Sequence, residues 1–553
     1  MFKQIAFLCL TLATAQSLAQ TSAGRYSSLV DEGYSHAAAG RHKEAVSAFE
    51  SALKISPQDG QIWAALGQSA KAAGDHEAVI RAADQVISLG AFGAKVKAVA
   101  HFEKACALVQ LGRKEEGWKS LGNAMKAGLR SLDQVRAEKR LEPLHSHKGW
   151  ADMTASHDVK KLKREEGWRY DLKLLDRELR RIHIAPYLHH SPKERDDMVK
   201  KISQAIPKAS DEEVMAAFYR YTASFGDGHT AIRPPEIKRP RLQAFLFEEG
   251  VFITLAAPEH RELAGAQILK VEGRPIEEVA DLMKPLMSTD NPMNVKSFIP
   301  GFCLNPTLLK GVGVSKRKEE VALTIKLISG EVKEAILPVS ADLQTKPDWI
   351  RPVSGPLPLT LKRRQEPYWF EELPDHKAVY LQYNEVRSDS KESLASFFGR
   401  FFLFVDQKKI EKIILDVRWN GGGNTFLSQP FIKSLAARPH LGRSGSLYVI
   451  TGRNTFSAAQ NFTTDLGRLF EPIYVGEPSG SSPNFIGESI PFTLPYSGMR
   501  GTISDLYWQR SWPMDDRIWI APELPAPPTF AAYREGRDPA MEAILEQFAQ
   551  TKG

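Results

Sequence analysis

Ser457 stands where the chain changes from an apolar run to a helical pattern. The run Ser446-Leu447-Tyr448-Val449-Ile450 has the character of a buried strand, and Asn454-Thr455-Phe456-Ser457-Ala458-Ala459-Gln460 follows it. A serine at a strand-to-helix turn can serve as a nucleophile, because the helix start supplies free backbone N–H groups and partial positive charge beside the hydroxyl. Serine is also an ordinary residue at helix starts. This position alone therefore leaves both interpretations open.

Two further segments could complete such a site. Gly421-Gly422-Gly423 follows an apolar strand pattern, and glycine lets the backbone approach a substrate carbonyl closely. Far upstream, Gly226-Asp227-Gly228-His229-Thr230 places a histidine in a glycine-flanked turn. A neutral imidazole with an ordinary pKa of about 6.5 is suited to act as a general base. The structural alternatives are a flexible glycine loop and a turn histidine held by Asp227.

The elements that would position these residues alternate along the C-terminal half. Strand and helix patterns alternate over residues 365–553, which predicts an α/β core with crossover helices. Residues 160–235 show amphipathic helical spacing, and residues 240–345 show short strand patterns. Within the latter, Gly265 to Pro275 resembles the central hairpin of a PDZ domain. The Pro-rich stretch from Pro352 to Pro358 predicts a linker.

A helical repeat with a period of about 34 residues precedes these segments, over residues 24–157. The placement of small and large residues within this repeat resembles that of tetratricopeptide repeats, in which small residues allow close packing of paired helices. Such arrays bind peptides or protein surfaces, and a purely structural prefix is the alternative. The matching residues are Gly33, Ala45, Phe49, Ala52 and Pro57 in the first copy, Trp63, Leu66 and Gly67 in the second, and Ala105, Gly112, Leu121 and Ala124 in a looser third.

Length, charge and the N-terminal residues limit the class of protein. A chain of 553 residues is too long for one core. Its formal charge of +7 is modest and its basic clusters are mixed with acids, which favours a solvated surface over a nucleic-acid or membrane patch. Residues 1–19 combine a basic start, a short apolar run and small residues before Gln20, which predicts a secretory signal peptide and a periplasmic location. Cleavage would leave Cys106 and Cys303 in different domains, so a disulfide framework is not expected.

Five motifs in order resemble the S41 peptidases, the tail-specific (C-terminal processing) and tricorn-core family. The resemblance covers roughly residues 165–553 and implies a crotonase-like (ClpP/crotonase) peptidase core carrying a PDZ-like module. The motifs are Gly226-Asp227-Gly228-His229-Thr230, Asp416-Val417-Arg418-Trp419-Asn420-Gly421-Gly422-Gly423, Thr455-Phe456-Ser457-Ala458-Ala459, Gly476-Glu477-Pro478-Ser479-Gly480-Ser481-Ser482-Pro483-Asn484 and Leu494-Pro495-Tyr496-Ser497-Gly498.

The resemblance implies Ser457 as the nucleophile but departs from the tail-specific branch in the base. That branch uses a lysine about 25 residues after the serine, and Ser482 occupies this place. His229 is then the expected base, as in the tricorn-like branch. The N–H groups of Ala458 and Gly422 are the expected oxyanion donors.

An acidic residue should orient the imidazole. The tricorn-like branch places this acid several residues before a Pro-Asp pair, which corresponds to Pro522-Glu523, and Asp516 is the nearest match. Asp227, two residues before the histidine, is a competing candidate. An acid in a surface loop is the structural alternative for Asp516.

Together these patterns predict a multidomain, exported serine endopeptidase, with an α-helical tetratricopeptide array ahead of the α/β core. Its partners would be a peptide or protein substrate and a protein bound by the repeats, with no nucleic acid and no membrane span after cleavage. No cofactor or metal is implied, because no metal-ligand spacing or phosphate loop occurs. The alternative is a catalytically inactive peptide- or ligand-binding scaffold, since retinoid-binding relatives carry the same core and fold alone does not decide function.

Overall fold

The computed structural model describes residues 22–90, 93–129, 131–341 and 348–550 and divides the chain into two compact units, residues 1–158 and 159–553. The signal-peptide prediction for residues 1–19 lies outside the described residues. Within the described ranges, no helix combines the length and apolar character needed to cross a bilayer. Cys106 lies in the first unit and Cys303 in the second, and both are buried free thiols.

The first unit is entirely helical in its described part, and its successive long helices pack against one another. Two hydrophobic clusters fill it, one around Phe49 and Leu66 and the other around Phe102 and Leu121. The helices are α1 (Ser22–Ala38), α2 (His42–Ile55), α3 (Gly60–Ala73), α4 (His76–Leu89), α5 (Gly93–Gln110), α6 (Lys114–Lys126), α7 (Leu132–Ala137) and α8 (Trp150–Thr154), with a 3-10 turn at Lys139–Leu144.

Small residues bring these helices together, as the repeat pattern predicts. A Cβ on Gly33 of α1 would lie 2.4 Å from the ring of Phe49 on α2, so only glycine fits beneath this ring. A Cβ on Gly67 of α3 would lie 3.2 Å from Cβ of Ala82 on α4. Asp59 caps α3 by accepting hydrogen bonds from the N–H groups of Gln61 and Ile62. The first two helix pairs thus use the small residues that the sequence pattern singled out.

The second unit begins with three helices that support the histidine turn. Ser191 and Ser210 form capping boxes with Glu194 and Glu213, which fix two of the helix starts. The helices are α9 (Arg164–Ile182), α10 (Pro192–Ala205) and α11 (Asp211–Ala223), followed by the short strand β1 (Ala231–Arg233). The turn that carries His229 lies between α11 and β1.

A β-rich module follows, whose strands form a seven-stranded sheet in the described residues. The order is β2-β8-β7-β5-β4-β3, with β6 paired to β5, and the pairings are antiparallel. The strands are β2 (Arg239–Pro240), β3 (Leu242–Phe247), β4 (Gly250–Ala256), β5 (Gln267–Val271), β6 (Arg274–Pro275), β7 (Glu320–Lys326) and β8 (Val332–Ser340).

This module contains helices where the sequence pattern indicated short strands. They are α12 (Ile276–Met283), α13 (Pro292–Cys303) and α14 (Pro306–Gly311), with 3-10 turns at Pro258–Leu263 and Lys284–Leu286. The side chains of Asn291 and Asn305 cap α13 and α14, and a proline occupies the first position of each helix. Pro292 and Pro306 are therefore helix-start residues.

The α/β core is a six-stranded sheet in the order β18-β13-β12-β11-β10-β9. Neighbours from β18 to β10 run parallel, and β9 is antiparallel to β10. The elements are α15 (Leu359–Lys362), β9 (Tyr368–Leu373), β10 (Ala378–Tyr383), α16 (Leu394–Gln407), β11 (Lys412–Asp416), α17 (Gln429–Ala436), β12 (Leu447–Thr451), α18 (Ala458–Leu469), β13 (Ile473–Gly476), β18 (Leu524–Pro525), α19 (Phe530–Glu535) and α20 (Pro539–Gln550). The 3-10 turns lie at Pro374–His376, Thr425–Ser428 and Pro439–Leu441, with another at Val159–Lys161 before α9.

Two small antiparallel sheets extend from the core and bring the histidine turn to it. β14 (Asn484–Gly487) pairs with β17 (Leu506–Gln509), and β15 (Ile490–Thr493) pairs with β16 (Arg500–Ile503). β16 also pairs with β1, directly after His229. Asp171 on α9 accepts hydrogen bonds from the N–H groups of Tyr496 and Ser497, at 3.0 and 2.8 Å. Residues 494–498, which resembled a family motif, thus anchor the hairpin to the helices.

Candidate active site

Ser457 occupies a strained turn between β12 and α18. Its φ and ψ are 55° and −123°, a conformation that a residue with a Cβ rarely adopts. Neighbouring hydrogen bonds fix the turn: the Thr455 hydroxyl donates to the Val417 carbonyl, and the Phe456 N–H donates to the Asn420 carbonyl. The chain holds this serine in a conformation with a steric cost, as strand-to-helix nucleophile turns do.

The structure brings His229 to this serine from 228 positions upstream. Nε2 of His229 lies 2.9 Å from Oγ of Ser457, within hydrogen-bond distance. The imidazole stacks on the ring of Phe456 at 4.5 Å between centroids and on that of Phe485 at 5.6 Å. These two aromatic rings orient the imidazole and exclude water from it, and His229 is only 8 % exposed.

Asp227 holds the backbone of the histidine turn. Its Oδ1 accepts hydrogen bonds from the N–H groups of His229 and Thr230, at 2.9 and 2.7 Å, and from the hydroxyl of Ser504 at 2.6 Å. Its Oδ2 lies 2.9 Å from Nε2 of His183. Because Asp227 contacts the main chain rather than the imidazole of His229, it positions His229 without forming a hydrogen bond to its ring.

Burial determines the protonation states of this pair. Desolvation lowers the pKa of His229 to about 4, although the charge of Asp227 and the backbone carbonyl of Ile486 act in the opposite direction. Burial would raise the pKa of Asp227, but the hydrogen bonds from His183, Ser504 and Thr230 outweigh burial and lower it. At neutral pH the imidazole is therefore neutral beside an ionised carboxylate, so Nε2 can accept a proton.

No hydrogen bond joins Asp516 to His229 among the described residues, so the expected bond between this acid and the imidazole is not formed. Asp516 is exposed, and its neighbour Asp515 pairs with Arg517. In the described part of the chain, Nδ1 of His229 has no hydrogen-bond partner, although the Ile486 carbonyl on β14 is close enough to affect the ring. Strand β14 thus occupies the neighbourhood of Nδ1.

The two expected oxyanion donors differ in their availability. The N–H of Ala458, at the first position of α18, has no acceptor among the described residues, as expected at a helix start. Gly422 lies against Ser457, because a Cβ there would come 2.7 Å from Cβ of that residue. However, the N–H of Gly422 donates to Oδ1 of Asn420 at 2.9 Å. The structure therefore corrects the expectation for Gly422: it provides space beside Ser457 but not a free donor.

Gly423 offers a donor that the sequence pattern did not single out. Its neighbours bond to Val386, since the carbonyl of Gly422 accepts from the Val386 N–H and the Asn424 N–H donates to the Val386 carbonyl. In an extended segment the intervening N–H points to the opposite side. Among the described residues the N–H of Gly423 has no acceptor. The glycine run suggested a close backbone approach but could not indicate which N–H is free.

Asp290 and Ser481 are further polar residues at this site. Oδ1 of Asp290 accepts from the Gly228 N–H at 2.6 Å, and its Oδ2 accepts from the Ser481 hydroxyl. Burial raises the pKa of Asp290 to about 7, and the nearby Asp227 charge acts in the same direction. No sequence motif marks Asp290, which directly precedes the capping residue of α13. The hydroxyl of Ser482, at the expected lysine place, donates to the Ile518 carbonyl.

Known proteins share the architecture of both units. A tetratricopeptide-repeat family model matches residues 26–59, which form the first repeat. Among curated protein sequences, no relative matches this chain. The crystal structure of mature CPAF is similar with a TM-score of 0.50 and 12 % identity, covering 70 % of this chain and 98 % of that one.

Two further solved structures align over a similar span with lower scores. The photosystem II D1 C-terminal processing protease has a TM-score of 0.32 and 14 % identity, covering 68 % of this chain and 99 % of its own. A protein from Bacteroides fragilis, provisionally assigned as an S41 protease, has a TM-score of 0.34 and 13 % identity, covering 69 % of this chain and 97 % of its own. The chain is thus a multidomain protein, with a tetratricopeptide repeat array followed by the fold of CPAF. The expected resemblance to S41 peptidases with such repeats is confirmed at the level of fold.

Proposed function

We propose that this protein is a serine endopeptidase in which Ser457 is the nucleophile and His229 the general base. The observation that carries this proposal is the 2.9 Å contact between Nε2 of His229 and Oγ of Ser457, formed at a strained turn. A neutral buried imidazole beside a hydroxyl at a helix start has the arrangement that acyl transfer requires. The likeness to protease structures is consistent with this proposal.

The reaction follows from the positions of these groups. As Oγ of Ser457 attacks the peptide carbonyl, its proton moves to Nε2 of His229, and the C–O bond forms. The negative charge that develops on the carbonyl oxygen would be stabilised by the N–H of Ala458, with the N–H of Gly423 as the second candidate. Nε2–H then protonates the leaving amine as the C–N bond breaks. The same imidazole then takes a proton from water as the water oxygen attacks the acyl carbon, and Nε2–H returns that proton to Oγ of Ser457 as the ester C–O bond breaks.

No carboxylate orients the imidazole in this arrangement, and other groups supply its orientation. The rings of Phe456 and Phe485 fix the plane of the imidazole, and Asp227 fixes its backbone. Stacking and main-chain hydrogen bonds can hold a base in a reactive geometry when they restrict its side chain to one conformation. A closer approach of Asp516 is not needed for the proton transfer described above.

We further propose that the protein is exported to the periplasm and that its repeats bind a protein partner. The export proposal rests on the signal-like residues 1–19, and the partner proposal rests on the repeat helices α1 to α4. Cell fractionation, with N-terminal sequencing of the mature chain, tests the first. Retention of the full-length chain with the cytoplasmic fraction would contradict it.

The catalytic proposal is tested by labelling with a fluorophosphonate, which reacts with activated serine hydroxyls. We expect the wild-type chain to be labelled at Ser457 and to cleave members of a peptide library. Ser457→Ala should lose both properties. Ser444→Ala, at an exposed serine before β12, is the matched control and should retain both.

Two results would overturn the proposal. Peptide cleavage by Ser457→Ala at the wild-type rate would exclude Ser457 as the nucleophile. A folded wild-type chain that is neither labelled nor cleaves any peptide would favour the alternative of a scaffold or binding protein. Labelling without peptide cleavage would point instead to hydrolysis of another ester or amide.

A further inference from the structure

A cavity of about 510 Å³ lies within the second unit, at the carboxyl ends of the parallel strands. The residues that line it come from β3 and β4 of the β-rich module, from the connection over residues 349–365, and from the C-terminal segment. Its lining includes Arg418, Thr451 and Glu477, which lie at or after the ends of β11, β12 and β13. Ligands of α/β sheets commonly bind at this edge, and the volume is within the range of small-molecule sites.

This cavity is distinct from the proposed catalytic pair. Neither Ser457 nor His229 lines it, and Asn454 is its lining residue nearest in sequence to the nucleophile. Its walls are strongly aromatic, with the rings of Phe245, Trp349, Trp419 and Tyr533 among them. Phe245 and Trp419 pack edge to face at 6.1 Å between centroids.

The charged groups that face the cavity do not balance. Five arginines and two carboxylates line it: Arg351, Arg364, Arg418, Arg453, Arg537, Glu477 and Asp538. Glu477 pairs with Arg453, at 3.0 Å from Nε, and Asp538 pairs with Arg418 at 2.8 and 2.9 Å. Arg537 pairs outside the cavity with Glu535 and Glu542. Both carboxylates are thus already neutralised by other arginines.

Arg351 and Arg364 form no ion pair with any carboxylate in the described ranges of the chain. The guanidinium of Arg364 lies over the indole of Trp419, at 4.8 Å from the ring centroid, so the aromatic ring fixes its position. Burial lowers the pKa of Arg364, the charges of Asp416 and Glu385, which do not line the cavity, act in the opposite direction, and the positive charge of Arg351 lowers it further. Two like charges held close together in a partly apolar cavity are stabilised by an anion between them.

We propose that this cavity binds a small carboxylate-bearing molecule with a flat apolar body, whose carboxylate is held by Arg364 and Arg351. A planar guanidinium can pair with both carboxylate oxygens, and the aromatic walls match an apolar ring. The site does not depend on the chemistry of Ser457, so the result of its test is independent of the catalytic proposal.

Isothermal titration of the full-length chain with 3-phenylpropionate tests this proposal. The uncharged 3-phenylpropionamide has nearly the same shape and isolates the contribution of the charge. We expect the acid to bind with a Kd of about 1 mM or tighter, and the amide about tenfold more weakly or worse, since a charge-assisted hydrogen bond contributes about 1.5–3 kcal/mol. Inorganic phosphate, which lacks the apolar body, should bind more weakly than the acid.

Variants of the two arginines locate the site. Arg364→Gln and Arg351→Gln should each weaken binding of the acid by about tenfold or more and leave amide binding unchanged. Arg363→Gln is the matched control, because Arg363 pairs with Glu366 and does not line the cavity. Circular dichroism verifies that each variant is folded.

Three outcomes would overturn the proposal. They are equal affinity of the wild-type chain for the acid and the amide, equal loss of affinity in Arg363→Gln and Arg364→Gln, and absence of binding to the wild-type chain at about 10 mM acid. The comparison of acid with amide uses the wild-type chain alone, so it tests whether the carboxylate contributes to binding even where a variant fails to fold.

Discussion

Gly422 and Ser457 are in such close contact that the smallest side chain at the glycine would displace Ser457. A Cβ at Gly422 would lie 2.7 Å from Cβ of Ser457 and 3.0 Å from the Ala458 nitrogen, and the φ of Gly422 is +108°. We expect Gly422→Ala to lower kcat by about a hundredfold or more, because a shift of about 1 Å in reacting groups has this effect. Steady-state kinetics on a cleaved peptide measure it.

The neighbouring glycine provides the control for this prediction. A Cβ at Gly421 would meet no heavy atom within 4 Å. Gly421→Ala should therefore keep nearly wild-type kcat. Equal losses in the two variants would show that general loop flexibility matters, rather than the contact with Ser457.

The depressed pKa of His229 predicts an unusual acid limit of activity. An ordinary histidine base would lose activity as the pH falls through about 6–7. Because burial lowers the pKa of His229 to about 4, its neutral form persists below pH 6, and we expect kcat/KM to fall only near pH 4. The pH profile of kcat/KM measures this limit, with near-UV circular dichroism verifying the folded state at each pH.

Removal of the neighbouring charge should move this limit in a defined direction. The charge of Asp227 raises the pKa of His229, so Asp227→Asn should shift the acid limit to lower pH as well as reduce the rate. An unchanged limit in a folded Asp227→Asn variant would show that Asp227 acts only through the backbone. A limit near pH 6.5 in the wild-type chain would contradict the buried state of the imidazole.

At the scale of residues, the sequence indicated the proposed catalytic pair better than the groups around it. Ser457 and His229 lie together as the motif order implied, since each motif marks a turn that allows few backbone conformations. Asp516 and the N–H of Gly422 were expected to assist them and do not. Both depend on hydrogen-bond direction and loop path, which tertiary packing sets and local sequence does not encode.

At the scale of elements, Arg418 connects the end of β11 to the start of α20. Its guanidinium bonds Asp538 at 2.8 and 2.9 Å and Asp416 at 3.0 Å. Asp416 and Asp538 are only 1 % and 6 % exposed. We expect Arg418→Met to lower the free energy of unfolding by about 3–5 kcal/mol, because two buried carboxylates would lose their cation. Denaturant titration measures it.

An exposed arginine pair provides the comparison. Arg438 also makes a two-point contact, with Asp406, but half of the Asp406 side chain is exposed. Arg438→Met should cost only about 1 kcal/mol or less. Similar losses in the two variants would contradict the importance of burial at Arg418.

The alternating strands and helices of the α/β core were predictable because their patterns are local. The apolar runs at 413–417 and 446–450 correspond to β11 and β12. Both faces of these strands are buried, so nearly every residue in them is hydrophobic. Helices α13 and α14 lie where short strands were predicted, and each begins with a proline, a residue that is also common in loops. The asparagines before them were the available signal, since Asn followed by Pro is also a helix start.

At the scale of the whole molecule, each unit has its own hydrophobic interior. The clusters around Phe49 and Phe102 lie wholly in residues 1–158, and those around Phe398 and Tyr448 lie wholly in residues 159–553. Units with separate cores can fold independently. We expect residues 159–553 alone to fold and to cleave a short peptide with kcat/KM similar to that of the full-length chain. The same fragment with Ser457→Ala is the control, and a folded fragment without activity would contradict the prediction.

The pairing of β1 with β16 has a consequence for the order of events in synthesis. His229 is synthesised 228 residues before Ser457, and β16, the strand that pairs with β1, ends only at Ile503. A shorter nascent chain therefore carries His229 and Ser457 on segments that this sheet does not yet join. Any hydrolysis by the proposed pair must wait until Ile503 has been made, so a shorter growing chain is chemically silent toward itself and its neighbours.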